Sequence, residues 1–280
     1  MNALEVKNLT KKYPEFKLDN ISFTLPGGCI LGLIGENGAG KSTTIKLILN
    51  MLRSDSGTVT VLGRDSSANR LTKEEVGAVL DEAGIPGCLN ARQVGNVMKH
   101  TFGNWSMSDY ENYLKRFELP LNKEYKKFST GMKMKLGIAI ALSHNAKLLI
   151  LDEATSGLDP VVRDEVLDIL NEFTRDEEHS VLMSSHIVSD LEKLCDYVAF
   201  MHKGKLMLFE EKDELLSRYG IVHCTERQLS ELDKSAVKHK KLSAYGAEAL
   251  VLRDKIPSSL DINPVSIEEL FVYMVKEEAV

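Results

Sequence analysis

An apolar run that ends in a glycine-rich loop and passes straight into a helix-like segment constrains this chain more than any other feature. Cys29-Ile30-Leu31-Gly32-Leu33-Ile34 shows no polar alternation, as expected for a strand buried on both faces. Gly35-Glu36-Asn37-Gly38-Ala39-Gly40-Lys41-Ser42 follows, and it matches G-x-x-x-x-G-K-[ST] at every fixed position. Residues 43–52 then place Ile45, Ile48, Leu49 and Leu52 at helical spacing. Strand, loop and helix in this order build a phosphate cradle. Glycines let the backbone close around phosphate oxygens with its N–H groups pointing inward. The helix, opening through Thr43, turns its positive end toward the β-phosphate. Lys41 neutralises the β- and γ-phosphates, and the Ser42 hydroxyl suits Mg²⁺. The motif predicts nucleotide binding and leaves open which of many unrelated machines carries it.

A second apolar strand, Leu148-Leu149-Ile150-Leu151, ends in the adjacent carboxylates Asp152 and Glu153. Neighbouring side chains on a strand point in opposite directions and so can take different tasks. Beside a phosphate loop, Asp152 is placed to hold Mg²⁺ and Glu153 to polarise an attacking water. Taken alone, the pair would be an ordinary acidic strand end.

The rest of the chain reads as alternating strands and helices. Strands are expected at 4–7, at 18–25 before the Pro26-Gly27-Gly28 turn, at 76–79, at 147–151 and at 180–183. A helix is expected at 161–173, and residues 81–145, with the helix-like 110–117, read as a helical insertion. Such alternation implies a parallel sheet covered by helices. Beyond about residue 217, short strands at 221–225 and 249–252 precede an amphipathic helix at 266–275, a small accessory subdomain whose sequence offers no chemistry. The divisions are 1–80 and 146–216 for the two parts of the nucleotide-binding core, 81–145 for the insertion and 217–280 for the tail.

Further landmarks stand in a fixed order around these motifs. Phe128-Ser129-Thr130-Gly131-Met132 opens an apolar helix, Ser156-Gly157-Leu158-Asp159 follows the carboxylates, and His186 ends Ser184-Ser185-His186 after a buried strand. Tyr13 precedes Leu18-Asp19-Asn20. From Tyr13 to His186 the series resembles that of the ABC ATPases: the aromatic that stacks on adenine, the LSGGQ signature in variant spelling, the D-loop and the switch histidine.

The resemblance implies an α/β fold, a P-loop (RecA-like) parallel-sheet core with an N-terminal antiparallel β subdomain, a helical insertion and a small C-terminal α/β extension. It implies two subunits paired head to tail, each ATP held between one phosphate loop and the other subunit's signature. Ser129 would cap the signature helix and aim it, with Gly131, at the γ-phosphate. Asp159 would align the halves, and His186 would contact the γ-phosphate and hold Glu153 in place. Tyr13 would stack on adenine, with Phe16 as its rival. Two departures stand out. The usual glutamine after the 76–79 strand is Asp81, which can ligate Mg²⁺ but cannot donate as an amide does, and the signature's first glycine is Thr130.

Composition narrows the role. The net charge of -6 argues against a general nucleic-acid binder. Cys29, Cys88, Cys195 and Cys224 lie too far apart for a zinc site and read as reduced thiols. No apolar stretch reaches the roughly 20 residues that span a bilayer, and the N-terminus lacks the apolar core of a signal peptide. The expectation is therefore an ATPase with ATP and Mg²⁺ as cofactors, on the cytoplasmic face of the membrane, docked through its helical insertion onto a separate transmembrane permease. A homodimer with two ATP sites is the simpler pairing, a related ATPase subunit the other. A single cassette with no basic linker and no interrupting coiled coil disfavours the alternative, an ABC ATPase acting on ribosomes or nucleic acid. The spelling from Phe128 to Leu142, FSTGMKMKLGIAIAL, looks like bacterial exporters of peptides, antibiotics or similar amphiphiles.

Overall fold

The computed structural model describes residues 1–66, 74–80, 84–243, 246–257 and 260–277. Asp81, expected as a Mg²⁺ ligand, lies outside them.

Two alternating strands, β1 (Asn2–Lys12) and β2 (Lys17–Pro26), pair antiparallel and turn one apolar face inward. The wholly buried β3 (Ile30–Gly35) leads through the phosphate loop into α1 (Lys41–Ile48). That helix ends short of the expected residue 52, where Asn50 takes a positive φ. β4 (Ser56–Val61) and β5 (Arg64–Asp65) return to the antiparallel sheet, whose order is β2-β1-β4-β5.

After β6 (Val76–Val79) the chain becomes helical: α2 (Ala91–Thr101), α3 (Met107–Arg116) and α4 (Thr130–Leu142). Each start is written locally. Asn90 and Gln93 form a reciprocal capping box on α2, and Ser106 and Ser129 cap the next two helices through their hydroxyls. The core then resumes with β7 (Leu148–Asp152), α5 (Pro160–Phe173), β8 (Ser180–Ser185), α6 (Val188–Leu194), β9 (Tyr197–His202) and β10 (Lys205–Glu211).

The central sheet has the order β10-β9-β3-β8-β7-β6, parallel except for β10 at its edge. This order decides where the chemistry falls. β3 lies between β9 and β8, with β7 next, and the registers pair Ile34 with Ser185 and Asp152 with Ser184. The carboxyl ends of β3, β7 and β8 therefore finish side by side, the edge where open α/β sheets bind ligands.

The tail comprises α7 (Lys212–Arg218), β11 (Tyr219–Cys224), α8 (Glu226–Glu231), β12 (Val237–Ser243), β13 (Gly246–Leu252), β14 (Ile262–Asn263) and α9 (Ile267–Glu277). Its sheet, β12-β13-β11-β14, includes two strands that the periodicity does not reveal, the longer being β12. β12 reads VKHKKLS; lysines on an edge strand block pairing with other chains and also mask the apolar alternation. The tail joins the main core through α9, where Ile267, Leu270 and Phe271 are buried and the Phe271 ring meets Phe200 of β9 edge-on at 5.4 Å. Among the described residues no helix is long and apolar enough to cross a membrane.

Candidate nucleotide site

A cavity of about 960 Å³ opens at the carboxyl edge of the central sheet. Of residues 35–43, all but the buried Ala39 line it, joined by Glu153, His186 and, from the signature helix, Thr130 and Met134. The phosphate loop is held by its neighbours. Gly204 donates its N–H to the Ala39 carbonyl at 3.0 Å, and a methyl on Gly35 would come within 2.5 Å of the Met201 carbonyl. The cap of α1 is Gly40, left-handed at φ 107, with no side chain closing the helix end, so the first-turn N–H groups face the cavity.

Lys41 is buried, 5% exposed. Its ammonium donates to the Gly35 carbonyl at 2.7 Å and the Glu36 carbonyl at 3.3 Å, and lies 3.5 Å from Glu153 Oε1. The other Glu153 oxygen, Oε2, is 2.6 Å from His186 Nδ1 and accepts from the His186 backbone N–H at 3.2 Å. The carboxylate of Glu153 is thus stretched between the phosphate-loop lysine and the switch histidine. Its backbone is left-handed, with φ 54, a conformation that a residue with a Cβ adopts only when its surroundings enforce it. The enforcing group is Ser184, whose carbonyl and hydroxyl each accept the Glu153 N–H at 3.1 Å.

The Ser184 hydroxyl also donates to Asp152 Oδ1 at 2.6 Å. Asp152 sits behind the cavity wall, 5% exposed, with one oxygen fixed by this bond. A hydroxyl (Ser42) and a single carboxylate oxygen are the donors a hard cation takes when a nucleotide's phosphates supply its remaining ligands. In keeping with that, no cluster of three or more His, Cys, Asp or Glu occurs among the described residues. The donor set fits Mg²⁺ carried on a nucleotide.

The aromatic wall departs from expectation. Phe16 lines the cavity and would touch a methyl on Gly40 at 3.1 Å. Tyr13 is not among the lining residues; it lies outside Phe16, 6.2 Å between ring centres, with the Lys11 ammonium 5.9 Å from its own ring. The backbone explains the exchange. The turn between β1 and β2 folds back with Tyr13 N–H on the Phe16 carbonyl at 2.7 Å, which turns Phe16 inward.

The signature segment meets the cavity through its departure from the family spelling. Thr130 lines it, whereas Ser129 and Gly131 do not; the Ser129 hydroxyl accepts from the Met132 N–H at 3.3 Å. Asp159 caps α5, accepting from the N–H groups of Val161 and Val162 at 3.2 and 3.1 Å. Sequence reasoning missed the Ser184 hydroxyl, although the Ser-Ser-His spelling at a strand end could have marked it. It also missed Glu268, Phe271 and Val272 of α9, which line the same cavity from the tail and carry no local signal.

With this geometry in hand, comparison with known proteins is informative. The sequence pattern of the ABC transporter family matches residues 18–156. The lantibiotic transport ATP-binding protein SrtF of Streptococcus pyogenes is 37% identical over 213 residues, covering 75% of this chain and 91% of the relative. The bacitracin transport ATP-binding protein BcrA of Enterococcus faecalis is 34% identical over 239 residues, covering 83% and 75%. A solved ATP-binding subunit of an ABC transporter superposes with a TM-score of 0.69 at 27% identity, covering 81% of this chain and 93% of that one. The chain belongs to the ABC transporter family, as an ATP-binding subunit with the ATPase fold.

Proposed function

We propose that this chain is the ATP-hydrolysing motor of an exporter of peptide antibiotics or similar amphiphiles. It works in a head-to-tail dimer, homodimeric in the simplest case, on a separate transmembrane permease at the cytoplasmic face of the membrane. The observation that carries the chemistry is the placement of Glu153 between Lys41 and His186 in a cavity floored by the phosphate loop.

The residues divide the work as follows. Lys41 now satisfies its charge on two loop carbonyls, and an entering triphosphate offers it stronger anionic partners in the same place. The α1 N–H groups take the β-phosphate, and Phe16 offers its face to adenine. Glu153 accepts a proton from water as the water oxygen bonds to the γ-phosphorus. The bond to the bridging oxygen breaks, and ADP leaves with that electron pair. His186 holds the second Glu153 oxygen so that the first stays aimed. Ser42 and Asp152 would hold Mg²⁺, joined by Asp81 where the family usually has glutamine, and the ion would supply charge neutralisation on the phosphates.

Supporting the permease reading is an apolar groove of about 390 Å³ between β6 and the helical insertion, lined by Met51, Leu80, Ile85, Met98, Phe102 and Tyr125 among others. It lies on the insertion that the family resemblance assigns to docking. Export and the cargo class rest on the names of SrtF and BcrA, which concern lantibiotic and bacitracin transport. The same names favour this reading over action on ribosomes or nucleic acid.

Two measurements test it. Glu153→Gln should keep ATP affinity while hydrolysis falls at least about 100-fold, the usual worth of a general base; hydrolysis at the parental rate removes Glu153 from that role. Capture of the tagged chain from detergent-solubilised membranes should bring down a polytopic protein in stoichiometric amount. Recovery of ribosomal proteins in its place would overturn the transport role.

A further inference from the structure

The D-loop and the switch histidine belong to separate segments of the chain, and the structure shows one side chain reaching toward both. Arg163 lies in the first turn of α5, which the D-loop residue Asp159 caps. Its Nη2 donates to the Leu158 carbonyl, within the D-loop, at 3.2 Å. Its Nε points at Asp190 Oδ2 on α6, the short helix that starts two residues after His186, and stops at 3.8 Å. Asp190 is 4% exposed. Among the described residues, neither Arg163 Nε nor Asp190 Oδ2 has a hydrogen-bond partner, although both atoms are buried. Opposite charges buried together normally close to about 2.7–2.9 Å, because a buried ion without its hydrogen bonds is disfavoured. These two stand roughly 1 Å short of a bond that nothing else among the described residues satisfies.

We infer that Arg163 and Asp190 form a latch that closes when the D-loop and the switch segment shift against each other in the ATP-bound state, which makes Arg163 a positioning residue for hydrolysis. The guanidinium is a rigid fork. One prong fixes the D-loop carbonyl, and the other fixes the helix that follows His186. Closing the second prong draws α6 toward α5 and carries with it the histidine that holds Glu153. The ammonium of a lysine could satisfy either partner, but it does not span both with one planar group. The latch thus transmits the position of the D-loop, which the family resemblance places at the boundary with the second subunit, to the carboxylate that activates water.

The inference rests on the hydrolysis reading above, and its failure is separable from the failure of that reading. If Glu153→Gln hydrolyses ATP normally, the reading fails. If Glu153→Gln is inactive while Asp190→Asn is fully active, the latch alone fails. The test measures kcat, KM and ATP affinity for Asp190→Asn, Arg163→Gln, Arg163→Lys and the double variant Arg163→Gln/Asp190→Asn. Each single variant should lower kcat about tenfold, with ATP affinity within about twofold of the parent. The double variant should be no slower than the worse single one, because both remove the same contact. Arg163→Lys keeps the charge and the fold and should still lose several-fold in kcat. Parental kcat in Arg163→Lys and Asp190→Asn would overturn the latch. So would losses that multiply in the double variant, or variants that lose thermal stability with kcat unchanged.

Discussion

The two glycine-containing loops that face the nucleotide cavity differ in where the reason for their glycine lies. In the phosphate loop the reason is inside the chain. A methyl on Gly35 would sit 2.5 Å from the Met201 carbonyl, and Gly40 holds φ 107 with Leu18 Cδ1 2.9 Å from where a Cβ would go. In the signature, a methyl on Gly131 would meet Leu158 Cδ2 at 3.4 Å, an ordinary contact, in a helix where alanine is the favoured residue. The helix ends differ in the same sense. α1 starts without a side-chain cap, whereas the first turn of α4 is capped by Ser129. The phosphate loop is a finished half of a site. The signature is capped by its own serine, and nothing among the described residues requires its glycine.

Five substitutions can break or sharpen that contrast. Gly35→Ala should act on the subunit itself, costing about 1–3 kcal/mol through overpacking against a backbone carbonyl and abolishing ATP binding. Parental thermal stability with full binding would show that the loop can yield. Gly131→Ala should leave stability equal or slightly higher, yet reduce hydrolysis at least tenfold, about 1.4 kcal/mol of barrier. An unchanged rate would mean that no partner backbone or phosphate approaches that position. Phe16→Ala should weaken ATP binding roughly tenfold, the order of one base-stacking contact, with Tyr13→Ala within about twofold. If the two effects were reversed, in a titration with a fluorescent nucleotide, adenine would stack on Tyr13. Ser129→Ala should cost about 1 kcal/mol of stability through the lost cap, measurable by denaturant unfolding.

What the sequence made legible was whatever a few neighbouring residues decide. The phosphate loop, Glu153 and His186 were readable at their positions, and they meet in one cavity, with Asp152 buried behind it, because β3, β7 and β8 end together. The cap at Ser129 was readable for the same local reason, whereas Asp159 was expected to align subunits and proves to cap α5. What escaped depends on distant partners. Phe16 lines the cavity and Tyr13 does not, in a turn whose Tyr13 N–H donates to the Phe16 carbonyl. Strand β12 hides behind the lysines that protect its edge. Ser184 gains its importance only by lying level with Asp152 in the sheet. The α9 residues reach the cavity through packing between the tail and the core, such as Phe271 against Phe200.

The left-handed backbone of Glu153 sets catalysis and robustness against each other at one residue. A side chain in that conformation costs roughly 1–2 kcal/mol, more than the roughly 0.5–1 kcal/mol that glycine loses through its freedom in the unfolded chain. Glu153→Gly gains that difference and loses the carboxylate's contacts with Lys41 and His186, so it should melt close to the parent while hydrolysing nothing. Selection of this chain for heat resistance alone would place little constraint on the proposed general base, so any stabilised version has to be screened for turnover as well as for melting temperature.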